Sequence, residues 1–241
     1  MSLSKVQDVA RGELGRTEWP PGSNCIEYNT EYYGKEVSGD AYKWCLVFLW
    51  WVFRKAGESA AFFAGAKTAS CRTLLSWYRE QGQTVPVSEV QPGDIVILNF
   101  SGTKDTEHCG LVIDVPPVIC PATGAPSYII TIEGNTSPGL EGSQDNGGCV
   151  ALKQRAYRHI VAVCRPEYKE EEQMDDIKGH WAKKDINWCI EHGIMQGYPD
   201  GSFSPDKPIT RAELAVVAHR ICDWSLQIAA EVEALEKKEE L

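Results

Sequence analysis

Apolar positions along the first eighty residues recur with helical spacing. Val6, Val9, Ala10 and Leu14 share one face of a helix over residues 3–14. The run Trp44-Cys45-Leu46-Val47-Phe48-Leu49-Trp50-Trp51-Val52-Phe53 is apolar on every side, which predicts a helix enclosed by the rest of the fold. Leu74, Leu75 and Tyr78 mark a third helix over residues 71–81. Between the first two lies a stretch rich in Gly, Pro and Asn, residues 15–39, read as a loop. From Val85 the period shortens. Residues 95–98, 110–115, 128–133, 148–152 and 160–164 are β-branched runs separated by turn residues. Helices first and antiparallel strands after is an α+β plan, with helices packed on a sheet.

A second pattern begins near residue 175. Residues 166–174 are polar and charged, as in a linker. Ile186, Cys189 and Ile190 then lie on one helical face, and Gly193 is placed to end that helix. Thr210 and Glu213 have the spacing of a capping box at the start of a further helix. Leu226, Ala229, Val232 and Leu235 extend an amphipathic pattern into a Glu- and Lys-rich end. The expected division is a domain over 1–165, a linker over 166–174, a small all-α domain over 175–222 and a terminal helix over 223–241.

Charge sharpens that division. The chain of 241 residues has a net charge of −10. Residues 1–165 hold 15 Lys and Arg against 17 Asp and Glu, while residues 166–241 hold 9 against 17. No basic cluster stands out, which excludes nucleic acid as an expected partner. No run has bilayer-spanning length, so no membrane partner is expected. The first residues carry no apolar core of signal-peptide length, and the expected location is cytoplasmic, with action on a cell wall following release. Nine cysteines without a Cys-x-x-Cys pair suggest neither a disulfide framework nor structural zinc. Asp40 is the one Asp between Asp8 and Asp94, too sparse for a calcium loop. No metal and no cofactor are expected.

The candidate chemistry centres on Cys45. A cysteine opening a helix meets unpaired backbone N–H groups and the positive end of the macrodipole, and both favour thiolate. His108 precedes one strand pattern, and Glu133 and Asn135 close the next. Cys on a helix, His on a strand and a polar residue on the following strand is the chain order of papain-like nucleophilic catalysis. His108 is then the base that takes the Cys45 proton. Glu133 orients the imidazole, and Asn135, two residues on and on the same face by strand alternation, supports it. Cys109, by the same alternation, points into the core.

These pieces resemble the CHAP domains, the cysteine- and histidine-dependent amidohydrolases and peptidases of bacterial and phage cell-wall lysis. The resemblance rests on Trp44-Cys45, Pro92-Gly93-Asp94, His108-Cys109-Gly110 and Glu133-Gly134-Asn135, and covers residues 1–165. It implies a papain-like fold and places both Glu133 and Asn135 at the site. It also assigns Trp44 and the segment from Asn24 to Tyr28 to substrate contact, with an oxyanion donor expected from that segment beside the Cys45 backbone N–H.

Residues 175–222 resemble an S-layer homology repeat. The matching residues include Gly179-His180-Trp181-Ala182, Gly197-Tyr198-Pro199-Asp200-Gly201-Ser202-Phe203 and Ile209-Thr210-Arg211-Ala212-Glu213. The resemblance implies anchoring to secondary wall polysaccharide. Trp181 is a candidate to stack on a sugar. Arg211 suits either an anionic saccharide group or a salt bridge. Such repeats gather in threes, and only one is present here, so association of chains through the C-terminal region is expected.

The expected function is a peptidoglycan hydrolase of the endolysin or autolysin type. It would cut an amide, either the N-acetylmuramoyl-L-alanine bond or one in the peptide. The competing expectations are a non-catalytic envelope-binding protein and an intracellular cysteine amidase or protease.

Overall fold

The computed structural model describes residues 2–103, 105–117, 127–139, 146–168, 174–198, 200–223 and 225. Two compact units divide the chain at Lys169/Glu170. The first opens with α1 (Ser2–Gly12), α2 (Glu27–Tyr33), α3 (Cys45–Lys55) and α4 (Cys71–Glu80). Six strands follow: β1 (Thr84–Val85), β2 (Ile95–Leu98), β3 (His108–Asp114), β4 (Tyr128–Thr136), β5 (Cys149–Ala156) and β6 (Ile160–Cys164). They form one antiparallel sheet in the order β1-β6-β2-β3-β4-β5. The unit is α+β.

Helix α2 lies inside the stretch read as a loop. Its seven residues are too few to show a period, and Gly34 at φ 72° ends it. It is held by aromatic packing, with the Tyr28 ring 4.9 Å from Trp51 and 5.3 Å from Phe48.

Two cores sandwich the sheet. On the helix side Ile95, Ile97, Cys109, Leu111, Ile113 and Ile132 meet α3 and its neighbours. On the other side Val96, Leu98, Val112, Ile129 and Val163 pack together. The alternation within β2 and β3 divides these residues between the two clusters. Burial on both faces explains why β2 reads as a continuous apolar run.

Gly134 sets how closely α3 approaches the sheet. A Cβ there would stand 2.5 Å from Phe48 Cβ and 2.9 Å from the Trp44 ring. The Pro92-Gly93-Asp94 turn is likewise a packing device. Gly93 has φ 94° and Leu3 fills the space beside it. Asp94 is buried, accepts from the Gln91 N–H at 2.9 Å and takes a two-point contact from Arg165 at 3.0 and 2.9 Å. The first unit also extends beyond residue 165. Tyr168, within the segment read as linker, donates its hydroxyl to the Gly93 carbonyl at 2.6 Å and stacks on Phe53.

The second unit has a small core of Met174, Ile177, Ile186 and Phe203. Its described residues include a 3-10 turn at Asp175–Ile177, α5 (Lys183–Glu191) and a helix over 211–223. The capping box is formed: Glu213 N–H donates to Thr210 Oγ1 at 3.1 Å, and Thr210 N–H to Glu213 Oε2 at 2.8 Å. The Asp176 carboxylate accepts the N–H groups of Phe203 and Ser204, tying the two ends of the repeat together. The amphipathic pattern over 226–241, and the association expected through it, lie outside the described residues.

Gly134→Ala should lower the thermal midpoint of the first unit by the equivalent of about 1–3 kcal/mol, the cost of overpacking a filled core. Gly139→Ala, where the added methyl meets nothing within 4 Å but φ is 83°, should cost less, through backbone strain alone. Equal midpoints for the wild type and Gly134→Ala would contradict the close approach.

Candidate functional site

Helix α3 presents Cys45 as its first residue, and no side chain caps that end, so the first-turn N–H groups remain directed at the sulfur's surroundings. Cys45 as a residue is partly exposed, whereas Leu46 to Phe53 behind it are buried. Burying the helix therefore fixes where its reactive end stands.

His108 opens β3 and is buried. Its Nε2 lies 2.9 Å from Glu133 Oε2. That leaves Nδ1 for the hydrogen bond to Cys45. Glu133 is fully buried on β4. Thr131 donates its hydroxyl to Oε1 at 2.6 Å, Arg155 Nε donates to Oε1 at 2.7 Å, and Arg155 Nη2 donates to Oε2. With His108 this fills the acceptor positions of the carboxylate. Gly110 makes room for it: a Cβ there would lie 2.8 Å from Glu133 Cγ. The glycines of His108-x-Gly110 and Glu133-Gly134 thus have separate tasks, one clearing space for the carboxylate and the other for α3.

The charges favour an ion pair. Burial works against ionised His108, but the Glu133 charge and the hydrogen bond to Cys45 outweigh it and raise the imidazole to about 9. Burial likewise opposes ionised Glu133, yet Arg155 and His108 hold it down at about 2. Hydrogen bonds from the Cys109 and Cys71 thiols, followed by that of His108, hold the Cys45 thiol well below its ordinary value in spite of burial. A thiolate facing an imidazolium, braced by a buried carboxylate and a guanidinium, can attack a carbonyl carbon and then protonate the leaving group.

Arg155 was not legible as a site residue. It comes from β5, separated from Glu133 by a loop, and only the β4–β5 register brings the two together. The thiols of Cys71 and Cys109 were equally hidden. Cys109 does point into the core, as alternation requires, but that core position faces the first residue of α3. The sulfurs of Cys45, Cys71 and Cys109 all lie within 4.8 Å of one another.

The remaining expected positions fall differently. Asn135 shares no hydrogen bond with His108. A register shift between Glu133 and Thr136 breaks the alternation, and Asn135 adopts φ 53°. Its amide donates to Asn24 Oδ1 and Asn146 Oδ1, each at 3.2 Å, and accepts the Gly148 N–H. It fastens loops beside the site. Asn24, Tyr28 and Trp44, expected to contact substrate, are fully buried. Glu18 accepts from the Asn24 N–H at 3.1 Å and from the Trp44 indole at 3.0 Å, so that N–H is not free for an oxyanion. The Tyr28 hydroxyl is spent on Glu13 at 2.7 Å. These aromatic and amide groups build the wall behind the site rather than its surface. In the second unit Trp181 is 87% exposed and Arg211 is exposed, so both are accessible.

Comparison with known proteins places two families in the chain. Residues 37–135 match the CHAP domain, and residues 173–215 match the S-layer homology domain. The cellulosome-anchoring protein of Acetivibrio thermocellus is 47% identical over 49 residues, 20% of this chain and 11% of that protein. The S-layer protein of Bacillus licheniformis is 42% identical over 63 residues, 26% of this chain and 7% of that one. The chain thus spans about a ninth or less of the length of these relatives. Among solved structures, "The crystal structure of Ly7917" is 16% identical and aligns over 69% of this chain and 63% of that one with a TM-score of 0.39, a likeness too distant to bear on function.

Iodoacetamide at mildly acidic pH should label Cys45 ahead of the other described cysteines, and His108→Ala should slow that labelling by about tenfold or more. Labelling of Cys45 no faster than Cys222, an exposed thiol, would contradict the depressed value. The raised His108 stabilises the fold fully below its ordinary 6.5, and that contribution is lost as pH rises through about 9. The lowered Cys45 contributes in the opposite sense, its stabilisation growing until pH passes its ordinary 9, so the thermal midpoint of the wild type should stay level between these values.

Proposed function

We propose that this chain, which carries a CHAP domain followed by an S-layer homology domain, is a peptidoglycan hydrolase that cuts an amide bond through a Cys45 nucleophile. The observation that carries the reading is the Cys45–His108–Glu133 relay. The thiolate attacks the amide carbonyl, and negative charge gathers on the carbonyl oxygen. The uncapped N-terminus of α3, with the Cys45 N–H first, supplies the donors for that charge. The imidazolium gives its proton to the departing amine, an acyl-enzyme forms, and His108 then activates water to release it. Glu133 keeps the imidazole oriented and stabilises its charge, and Arg155 keeps Glu133 ionised. Asn135 is a positioning residue.

The bond is the N-acetylmuramoyl-L-alanine amide or one in the stem peptide or cross-bridge, and the enzyme acts as an endolysin or autolysin that reaches the wall after release. The S-layer homology domain holds it to secondary wall polysaccharide, with Trp181 offering a ring for stacking and Arg211 a fork for an anionic substituent. Exposed Ile209, Leu214, Val216 and Ile221 in this unit give further chains an apolar surface to associate with.

Purified peptidoglycan should be solubilised by the wild type and not by Cys45→Ala, with mass spectrometry of the released fragments identifying the bond. His108→Ala should be equally inactive, and the double variant no worse than either single, because the two act as a unit. Glu133→Gln should lower kcat by about 10²-fold or more, whereas Asn135→Ala should retain partial activity at a lower thermal midpoint. Solubilisation by folded Cys45→Ala would move the nucleophile elsewhere.

A further inference from the structure

The sulfur cluster beside His108 has more members than amide hydrolysis needs. Cys45 and Cys71 are each the first residue of a helix, α3 and α4, and Cys109 enters from β3. Two helix N-termini therefore point at one group of thiols, an arrangement that offsets negative charge on sulfur. Their mutual separations, all within 4.8 Å, compare with about 3.8 Å between sulfurs around a tetrahedral zinc with Zn–S bonds of about 2.3 Å. Rotating the thiols by a total of about 1 Å closes the difference. No other group of three or more His, Cys, Asp or Glu side chains among the described residues has this spacing.

We propose that Cys45, Cys71 and Cys109 form a three-sulfur site for a thiophilic divalent cation of the zinc class. Cys45 binds as the thiolate it already is, Cys71 and Cys109 release their protons to solvent as their sulfurs bind, and no oxidation or reduction is involved. Cys45 is partly exposed, which gives the ion a way in, while Cys71 and Cys109 are buried behind it. Binding draws on the Cys45 lone pair. A bound ion therefore silences hydrolysis until it is removed, a consequence that rests on Cys45 being the nucleophile.

The test is titration of the full chain with Cd2+, followed by the ultraviolet sulfur-to-metal charge-transfer band, with X-ray absorption on the Zn2+-loaded protein to count sulfur and nitrogen ligands. The expected result is one high-affinity ion per chain with three sulfurs in its first shell. Cys71→Ala and Cys109→Ala should each bind at least about tenfold more weakly, with one sulfur fewer. Circular dichroism checks that both variants fold, and the wild-type ligand count stands without them. Absence of a stoichiometric site, or a wild-type first shell without three sulfurs, overturns the proposal. Unchanged affinity in both variants does so as well, since other cysteines would then hold the ion. Peptidoglycan hydrolysis measured alongside separates the two readings. A fully loaded site with undiminished activity leaves the metal centre standing and removes Cys45 as nucleophile.

Discussion

Helix α3 is apolar around its whole circumference, and the first unit is arranged to enclose it. Eight consecutive side chains from Leu46 to Phe53 are buried. At about 1.5–3 kcal/mol for each large apolar side chain taken from water, no other element of the unit buries so much in so short a length. The sheet covers one side, α1 and α2 cover others, and Gly134 lets the backbone of β4 come close enough to touch Phe48 and Trp44. Once that packing is satisfied, the N-terminus of α3 has only one place to stand, at the opening of β3.

The polar site follows from this placement. A carboxylate as buried as Glu133 is costly unless its oxygens are hydrogen-bonded and its charge is paired. Thr131, Arg155 and His108 meet that demand from three strands, and Gly110 leaves the volume for them. The same interactions that make the buried charge tolerable also keep His108 protonated, and the Cys109 and Cys71 thiols together with that imidazolium keep Cys45 ionised. Reactivity and core stability thus draw on one network, and truncating any single member exposes the others to an uncompensated buried charge.

Among the described residues the second unit is built on a much smaller core, the cluster of Met174, Ile177, Ile186 and Phe203, with Asp176 and the Thr210–Glu213 box bracing it. Its described residues expose several large apolar side chains, Trp181 foremost, where the first unit exposes Leu14 and Trp19.

The sequence by itself determined the α+β plan, helices α1, α3 and α4, and the centres of five strands, because each depends on the local periodicity of apolar residues. It also singled out Cys45, His108 and Glu133 as candidates, which the structure brings together, since a helix start and the flanks of two apolar strand runs are local features. It did not reveal α2, too short to have a period, or the burial of Asn24, Tyr28 and Trp44, polar and amphipathic residues that a loop and a helix entrance leave ambiguous. Tertiary structure alone decided that the Asn135 amide bonds to Asn24, Asn146 and Gly148, at a register shift that interrupts strand alternation. It alone brought Arg155 to Glu133 and gathered Cys71 and Cys109 about Cys45. Those contacts join residues 22 to 64 positions apart, and only strand register and helix packing, not spacing along the chain, fix which side chains share one point in space.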